Sequence, residues 1–347
     1  MKIIVPCAGK SSRFPNMRPK YMLNAPNGNL MVKEALSGFI NSINPEDIVI
    51  TILKEHEEKY NIIQGIERCF GFMPAICILS EPTKSQSETV YNTLKQMNIT
   101  ESFLVKDSDN FFSTDICDEE YNYICAFDLN NSAVINPSNK SYMQIDSDGK
   151  IVKFIEKKVI SNLFSVGGYY FKSPEEFCKA YLALQSFSGE LYLSNVISHM
   201  IENGEVFMPK SVASYFDWGT IDEWKKYTKQ FKVYFIDIDG VIFHNSAQYF
   251  SPIWGETEPI ERNVNVIKAL KAKGNQIILT TSRTEEFRKI TETTLEENGI
   301  KYDFLLMGCM HGQRILVNDY SKSNPYPSAV AINIPRDSDF LENFIEV

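Results

Sequence analysis

Residues 2–14 read KIIVPCAGKSSRF, and this stretch decides the fold. Ile3–Pro6 is a short apolar run of the kind that forms a buried strand, and it leads at once into the small residues Cys7, Ala8 and Gly9. After a parallel strand, a loop of small residues lets backbone N–H groups approach a phosphate at the carboxyl edge of the sheet. The stretch therefore predicts an α/β fold whose first strand ends in a phosphate-binding loop.

Strands and helices alternate along the first part of the chain. The predicted elements, in chain order, are strand Ile3–Pro6, helix Met31–Ile40, strand Ile48–Leu53, helix Glu57–Phe70, strand Ala75–Leu79, helix Ser87–Met97 and strand Ser102–Lys106. This rhythm is typical of a parallel sheet with helices on both faces. From Ala126 to Phe171 strands and turns predominate, and two helices follow at Glu175–Leu184 and Leu191–Glu202.

A second α/β unit begins where the charged stretch Asp222–Lys232 gives way to an apolar strand. Its predicted elements are strand Val233–Ile236, helix Val264–Lys273, strand Gln276–Thr280, helix Glu285–Asn298 and strand Ile315–Val317. A chain of 347 residues is long enough for about two domains. We therefore expect two Rossmann-like open parallel-sheet domains, residues 1–230 and 231–347, the second of them small and uncapped.

Composition excludes several classes of function. The net charge is −9, so the chain has no basic surplus for nucleic acid or an anionic membrane. No apolar run reaches the ~20 residues that span a bilayer, and the start of the chain turns polar too soon for a signal peptide. Seven scattered cysteines without a Cys-x-x-Cys pair are typical of reduced thiols in a cytoplasmic protein. Whether the chain forms a homo-oligomer stays open.

Two cations, Arg13 and Lys20, lie close behind the loop after the first strand. Such cations can neutralise the charge on a phosphoryl group during its transfer, which distinguishes this loop from an ordinary βα turn. Gly9-Lys10-Ser11 looks like the end of a Walker A loop. Ile4 stands where that motif needs a glycine, so the motif is rejected.

Ala8-Gly9, Ser12-Arg13-Phe14 and Pro19-Lys20 together resemble the signature of the sugar-phosphate nucleotidyltransferases, the pyrophosphorylase-type enzymes. Ser11 replaces that family's second glycine. Further segments resemble the family in the same order over roughly residues 1–228. They are Val105–Asn110 with Ser108 in place of a glycine, Ile155–Lys157, Gly167–Phe171, Glu190–Leu193 and Phe216–Thr220.

The resemblance implies an enzyme that transfers a nucleotidyl group from a nucleoside triphosphate to a sugar or polyol phosphate and releases pyrophosphate, with Mg²⁺ as cofactor. It implies catalytic roles for Arg13 and Lys20, and metal binding by Asp109 and Asp217, which offer hard oxygen ligands. The implied binding residues are Ala8, Gly9, Lys10, Ser11, Ser12, Gln86 and Ser87 for the nucleotide, and Glu156, Lys157, Gly168 and Glu190 for the acceptor.

Some of these assignments have alternatives. Ser87 and Glu88 would also suit a helix N-terminus with Ser87 as its cap. CTP is the favoured nucleotide, because the short chain and the serine-rich loop resemble the cytidylyltransferase branch of the family. Glu156 and Glu190 suit either hydroxyl groups or an amine, so a choline-like or amino-acid phosphate is the alternative acceptor.

Asp237 and Asp239 follow the first strand of the second unit and precede Gly240. Two carboxylates this close repel each other unless a cation lies between them, and aspartate is a known acceptor of phosphoryl groups. Together with Gln276–Arg283 and Ile315–Asp319, this pair resembles the motifs of the haloacid-dehalogenase-superfamily phosphatases, over roughly residues 232–347.

This second resemblance implies a phosphatase-like site. Asp237 would be the nucleophile and Asp239 the proton carrier. Mg²⁺ would be held by Asp237, Asp239 and Asp319, and the substrate phosphate by Thr281, Ser282 and Arg314. Arg314 or Arg288 replaces the lysine of the third motif, and Asn318 stands where many members have an acid. Because of these departures, an inert scaffold is the alternative.

The spacing of the phosphatase-like motifs leaves no room for a cap domain. Asp239 and Thr281 are 42 residues apart (281 − 239), and Thr281 and Asp319 are 38 apart (319 − 281), which the predicted helices and strands fill. An open site admits a bulky substrate or relies on another domain or subunit as its lid. Since hydrolysis of the transferase's own acceptor would be futile, we expect as substrate a bisphosphate precursor or a later intermediate in surface-polysaccharide precursor synthesis.

Overall fold

The computed structural model describes residues 1–9, 14, 17–39, 43–131, 137–247, 249–250, 253–319 and 329–345. The chain divides into two compact units, Met1–Thr228 and Lys229–Val347. The boundary expected from the sequence lies two residues beyond this division. Along the described residues, no helix has the length and apolar character needed to cross a membrane.

The first unit is built on a mixed sheet of nine strands in the described part of the chain. Its strands and helices, in chain order, are β1 (Lys2–Pro6), α1 (Met31–Leu36), β2 (Ile48–Leu53), α2 (Lys54–Tyr60), α3 (Ile62–Phe70), β3 (Ala75–Leu79), α4 (Gln86–Gln96), β4 (Phe103–Lys106), β5 (Asn110–Ser113), β6 (Asn122–Asp128), β7 (Tyr142–Ile145), β8 (Ile151–Ile155), β9 (Leu163–Phe171), α5 (Pro174–Ala183), α6 (Leu193–Glu202), β10 (Phe207–Ser211), β11 (Ser214–Asp217) and α7 (Ile221–Thr228).

The strand order of this sheet is β10-β6-β9-β4-β1-β2-β3, with the hairpin β7–β8 attached to β9. Strands β1 to β4 run parallel, as predicted. Strand β9 runs antiparallel to both β4 and β6, so the sheet as a whole is mixed, with the predicted parallel strands as one part of it. Parallel neighbours need a crossover connection, usually an α-helix, and the described residues between β4 and β9 form no α-helix.

Helices cover both faces of the parallel part of the sheet. On β1, Ile4 packs into the core under α4, α5 and α6, whereas Ile3 and Val5 pack into the core under α1 and α3. All three side chains are fully buried. This alternation fixes the register of β1 between two apolar layers, and with it the position of the loop that follows. Strands β5 and β11 form a separate antiparallel pair beside that loop region.

One helix prediction in the first unit needs correction, and one helix was not predicted. The helix predicted at Glu57–Phe70 is two helices, α2 and α3, which meet at Asn61 in the left-handed conformation with φ 50°. The charged stretch at Asp222–Lys232 contributes most of α7, in which Glu223 and Trp224 are buried and Asp222, Lys225 and Lys226 are exposed.

The second unit has a three-stranded parallel sheet in the order β12-β13-β14. Its elements are β12 (Val233–Asp237), α8 (Glu261–Ala272), β13 (Gln276–Thr280), α9 (Arg288–Glu297) and β14 (Phe304–Leu306). The core contains Ile236, Val264, Leu279 and Leu295.

The strand predicted at Ile315–Val317 is not formed. These residues have no regular secondary structure, and their side chains are 76%, 53% and 89% exposed. A strand is stable only when it pairs, and within the described residues this segment pairs with no other strand. The third strand of the sheet is β14 instead, which the sequence analysis missed.

Candidate active site

A cleft of about 760 Å³ opens where β1 and β4 end in the first unit. Segments from distant parts of the sequence line it. They are the loop after β1, the start of α4, the turn after β4, the ends of β8 and β11, and the middle of β9. Of the residues singled out in the sequence, the cleft brings together Gly9, Lys20, Gln86, Asp109, Glu156, Lys157, Glu190 and Asp217.

Asp109 and Lys20 form an ion pair in this cleft. Lys20 Nζ lies 2.5 Å from Asp109 Oδ2. Asp109 belongs to the turn that follows β4, and Lys20 begins a single turn of 3₁₀ helix after Pro19. Their side chains are 12% and 22% exposed, so both groups remain open to a bound molecule.

Asp217 lies beside Asp109 on a neighbouring strand. In the β5–β11 pair Asp217 is opposite Asn110, and the N–H of Trp218 donates to the carbonyl of Asp109 over 2.8 Å. Lys140 forms an ion pair with Asp217, and its Nζ also donates to the Tyr215 hydroxyl over 2.7 Å. The two predicted metal carboxylates therefore share one end of the cleft, and each has a lysine next to it.

This pair of carboxylates fits Mg²⁺. That ion is usually held by one or two carboxylates and completes its shell with substrate phosphate and water. Among the described residues no three His, Cys, Asp or Glu side chains gather as a metal site. Asp109 and Asp217 would therefore supply two of the ion's oxygen ligands and leave its other positions to bound molecules.

The turn that carries Asp109 is closed by a lysine that sequence reasoning missed. Lys106 is fully buried, and its Nζ donates to the carbonyls of Asp107 and Asn110 at 2.7 and 2.9 Å and to Asn110 Oδ1 at 2.5 Å. Burial lowers the pKa of Lys106 to about 8. A lysine at the end of a buried strand, followed by a run of Asp and Asn, is the signal that could have revealed it.

Asp107 is a third aspartate in the cleft, and it was also missed. It accepts a hydrogen bond from Gln86 Nε2 at 2.5 Å. Burial and the nearby charge of Asp109 raise the pKa of Asp107 to about 6. Its backbone N–H donates to the carbonyl of Gly167 on β9, so the turn after β4 is fastened to the neighbouring strand.

Of the two predicted nucleotide residues on α4, only Gln86 lines the cleft. Ser85, not Ser87, caps the helix, because its side chain accepts the N–H of Glu88 at 3.2 Å. Ser87 is fully buried, and its hydroxyl donates to the carbonyl of Leu191. This bond joins α4 to the segment just before α6, so the Ser87 side chain does not line the cleft.

The loop after β1 is only partly described. Gly9 lines the cleft, whereas Ala8 is fully buried in the core. Four predicted site residues lie outside the described residues, namely Lys10, Ser11, Ser12 and Arg13. Their roles stay predictions.

Glu156 and Lys157 meet the cleft at the end of β8. Glu156 Oε2 accepts hydrogen bonds from Ser141 and, at 2.8 Å, from Ser194. Lys157 has a left-handed backbone with φ 52°, uncommon for a residue other than glycine, and its Nζ donates to the Tyr192 hydroxyl over 2.7 Å. Strain of this kind is found at binding sites, where the surrounding structure holds it in place.

The predicted role of Gly168 does not agree with its position. A Cβ at Gly168 would lie 2.6 Å from the Phe112 ring, so this glycine permits close packing inside the sheet. Its neighbour Gly167, with φ 81°, lines the cleft instead, and a Cβ there would lie 2.3 Å from Asp107 Oδ2.

In the second unit Asp237 is partly exposed, whereas Asp239 is paired with a buried arginine. Asp237 ends β12 with 36% of its side chain exposed, and Arg314 Nη2 lies 3.0 Å from its Oδ1. Burial raises the pKa of Asp237. Asp239 accepts hydrogen bonds from Nε and Nη2 of Arg283, the shortest at 2.7 Å. The Arg283 side chain is fully buried and lies over the rings of Phe243 and Trp254.

The predicted phosphate and metal ligands of the second unit are only partly brought together, since Arg314 lies beside Asp237 but the others are placed differently. Thr281 is fully buried, and its hydroxyl donates to Asp239 at 3.0 Å instead of facing a substrate. Ser282 beside it is half-buried. Asp237, Asp239 and Asp319 do not form a three-carboxylate group among the described residues, since Ile315–Val317 is not a strand that would bring Asp319 to the sheet. We therefore derive no metal-dependent step for this unit.

The first unit has the fold of the nucleotidyltransferases that act on sugar phosphates. Solved structures of such enzymes superpose on 65–66% of this chain, a share equal in size to the first unit (228 of 347 residues). No family model matches the chain, and no curated protein matches it.

Three of these structures illustrate the likeness. The nucleoside-diphosphate-sugar pyrophosphorylase from Vibrio cholerae RC9 has a TM-score of 0.56 and 23% identity, over 65% of this chain and 99% of that one. The inositol-1-phosphate CTP transferase from T. maritima has a TM-score of 0.53 and 15% identity, over 66% and 96%. A UDP-glucose pyrophosphorylase complexed with UDP-glucose has a TM-score of 0.51 and 14% identity, over 66% and 97%. At identities of 14–23%, this likeness shows that the chain shares the fold of these proteins.

Proposed function

We propose that the first unit transfers a nucleotidyl group from a nucleoside triphosphate to a sugar or polyol phosphate, with Mg²⁺ as cofactor and pyrophosphate as second product. The observation that carries this proposal is the pair Asp109 and Asp217, which lie side by side in the cleft and each have a lysine within reach. Two carboxylates and two cations at one point are what the transfer of a charged phosphoryl group requires.

Each cleft residue has a role in this reaction. An oxygen of the acceptor phosphate attacks the α-phosphorus, and the bond from that phosphorus to the pyrophosphate oxygen breaks. Lys20 neutralises charge on the triphosphate, Lys157 holds the acceptor phosphate, and Glu156 binds an acceptor hydroxyl. Asp109 and Asp217 would hold Mg²⁺, which when bound offsets negative charge on the α-phosphate. Arg13 is proposed as a further cation on the triphosphate.

For the acceptor we favour a polyhydroxylated phosphate over a choline-like one. A quaternary ammonium group binds on the open faces of aromatic rings. In this cleft Lys157 Nζ lies 4.3 Å from the centroid of the Tyr192 ring, and Lys140 Nζ lies 5.3 Å from that of Tyr215. Both ammonium groups donate to the tyrosine hydroxyls at 2.7 Å, so they lie at the hydroxyl ends of these rings, and their positive charge disfavours a second cation beside them. The site is therefore better suited to hydroxyl groups. Glu190, which also lines the cleft, is proposed as a second hydroxyl acceptor.

The test is an assay that separates the two possible products. The full chain is incubated with Mg²⁺, one of four nucleoside triphosphates and a panel of sugar, polyol, choline and amino-acid phosphates. We expect pyrophosphate release only when nucleotide, acceptor and Mg²⁺ are all present, with CTP as the favoured nucleotide. Absence of pyrophosphate with every combination would contradict the proposal.

For the second unit we propose hydrolysis of a related phosphate ester in surface-polysaccharide precursor synthesis, with Asp237 as nucleophile. The half-exposed Asp237 carboxylate next to the Arg314 guanidinium supports this, since a phosphate could bind between them. The buried pair of Asp239 and Arg283 favours the alternative, a scaffold or regulatory unit without turnover. A cytoplasmic location and a homo-oligomer stay predictions.

A further inference from the structure

Gln86 and Asp107 both line the cleft and are joined by a hydrogen bond, which fixes the orientation of the Gln86 amide. Gln86 is the first residue of α4, and its Nε2 donates to Asp107 Oδ1 over 2.5 Å. A carboxylate can only accept hydrogen bonds, so the NH₂ end of the amide has to face Asp107. The carbonyl oxygen, Oε1, is then at the other end. In the described part of the chain no donor contacts that oxygen.

Asp107 cannot easily turn away to release Gln86. Its backbone N–H donates to the Gly167 carbonyl over 2.8 Å, and its own carbonyl accepts the Lys106 ammonium group at 2.7 Å. Its Oδ2 lies against the open side of Gly167, where a Cβ would be only 2.3 Å away. The backbone and the carboxylate are both held, so the orientation of the Gln86 amide is set by the fold and not by a ligand.

We propose that Asp107 determines the nucleotide base by fixing the Gln86 amide with its carbonyl towards the base. Such a site favours a base with an amino group at C4 of a pyrimidine or C6 of a purine, cytosine or adenine, over uracil, thymine and guanine, which have a carbonyl at the same ring position. Two facing carbonyl groups would leave both acceptors without a donor, and a buried acceptor without a donor is costly. The inference rests on the proposed function and on the sequence resemblance, which assigns Gln86 to the nucleotide; Gln86 lines the cleft.

Nucleotide specificity of the full chain tests the proposal. We measure kcat/KM for CTP, ATP, UTP and GTP with Mg²⁺ and an acceptor that supports pyrophosphate release. The wild type should prefer CTP or ATP over UTP by about 10-fold or more, the scale on which a site discriminates by one polar contact. The same ranking should appear in calorimetric binding of the four nucleotides, a measurement that needs no acceptor.

The variant Asp107→Asn removes the constraint while keeping the shape of the side chain. An asparagine can donate as well as accept, so the Gln86 amide is free to turn and offer its NH₂ end to a carbonyl. We expect the CTP-to-UTP ratio of kcat/KM to fall by about 10-fold. A general loss of turnover, from the nearby Asp109, would lower both values equally and leave the ratio unchanged. Asp115→Asn, an exposed residue outside the cleft, is the matched control.

The outcomes separate this inference from the proposed function. A wild type that prefers UTP or GTP, or an Asp107→Asn variant with the wild-type ratio, would overturn the inference and leave nucleotidyl transfer standing. A chain that neither binds nor turns over any nucleotide would overturn the proposed function and this inference with it.

Discussion

Lys20 is one of two lysines that the structure pairs with a proposed metal ligand, and unlike Lys140 it was singled out in the sequence. Lys20→Ala should lower kcat/KM for pyrophosphate release by ~10²-fold or more, because one cation at the point of charge development is lost. The fold should persist, since the side chain is 22% exposed and makes its pair at the cleft surface. Turnover and circular dichroism of the variant check both statements.

Lys54→Ala is the control for Lys20→Ala. Lys54 pairs with Glu58 on the surface of α2, and both side chains are more than 60% exposed, so its removal should cost little. Near-normal turnover of Lys20→Ala would contradict the placement of the active site.

The buried Lys106 should make the stability of the first unit depend on pH. Its pKa of about 8 in the folded chain lies below the ordinary value of 10.5, because burial disfavours the charged form despite the nearby Asp107, Asp109 and Cys125. Between these two values the unfolded chain binds more protons than the folded one, so this group makes stability rise as pH rises from about 8 to 10.5. Below pH 8 its burial lowers stability.

The measurement is the free energy of unfolding of the first unit at pH 7.5 and pH 9.5, for the wild type and Lys106→Met. Methionine keeps the length of the side chain but does not titrate. The wild type should gain stability relative to Lys106→Met at the higher pH. A difference between the two proteins that is constant with pH would show that Lys106 keeps an ordinary pKa.

Strand β9 approaches the turn after β4 closely at Gly167, where no side chain separates them. Gly167 combines φ 81° with close contacts, since a Cβ would lie 2.3 Å from Asp107 Oδ2 and 2.5 Å from Asn110 Nδ2. Gly167→Ala should therefore be destabilised by backbone strain and by overpacking together, the latter typically ~1–3 kcal/mol. Urea unfolding measures the loss, and pyrophosphate release should fall because the turn that carries Asp109 is displaced.

Gly204→Ala isolates the backbone part of this effect. Gly204 also has a positive φ, 95°, but a Cβ there would have no heavy atom within 4 Å. Its alanine variant should be less destabilised than Gly167→Ala. Equal losses would show that the contacts with Asp107 and Asn110 relax at no cost.

Elements were predictable where burial alone determines them. The bounds of β2, β3 and β13 match the predicted strands, because each is an apolar run whose ends coincide with polar residues. The prediction failed at Ile315–Val317, which is also an apolar run. An apolar run shows that a strand would be stable in a sheet, but not whether a neighbouring strand is present to pair with it.

Across the whole molecule, the sequence singled out both proposed metal carboxylates but only one of the two lysines that pair with them. Lys20 and Asp109 are 89 residues apart and both were identified, because each belongs to a recognisable motif. Lys140 and Asp217 are 77 residues apart, and only Asp217 was identified. Lys140 stands in no motif, and its place beside Asp217 depends on how the β7–β8 hairpin attaches to β9, which no local pattern encodes.

The division of the chain at 228/229 leads to a prediction about folding. Residues 1–230 and 231–347 should each fold when produced separately, because each contains its own sheet and its own apolar core. Cooperative thermal unfolding of each fragment, followed by circular dichroism, checks this. Fragments that are both insoluble or unfold without cooperativity would contradict the boundary.

The two proposed activities should be independent of each other, because their residues lie in different units. Asp237→Asn should abolish phosphate release by the second unit, because asparagine keeps the shape of the side chain but lacks the charge that attacks phosphorus. Nucleotidyl transfer should be unchanged, since Asp237 lies in the second unit and the transfer site lies in the first. Phosphate and pyrophosphate release from sugar and polyol mono- and bisphosphates are measured separately, with the wild type beside Asp237→Asn. If phosphate release is the same in both proteins, Asp237 is not a nucleophile, and the buried pair of Asp239 and Arg283 is best understood as part of a scaffold.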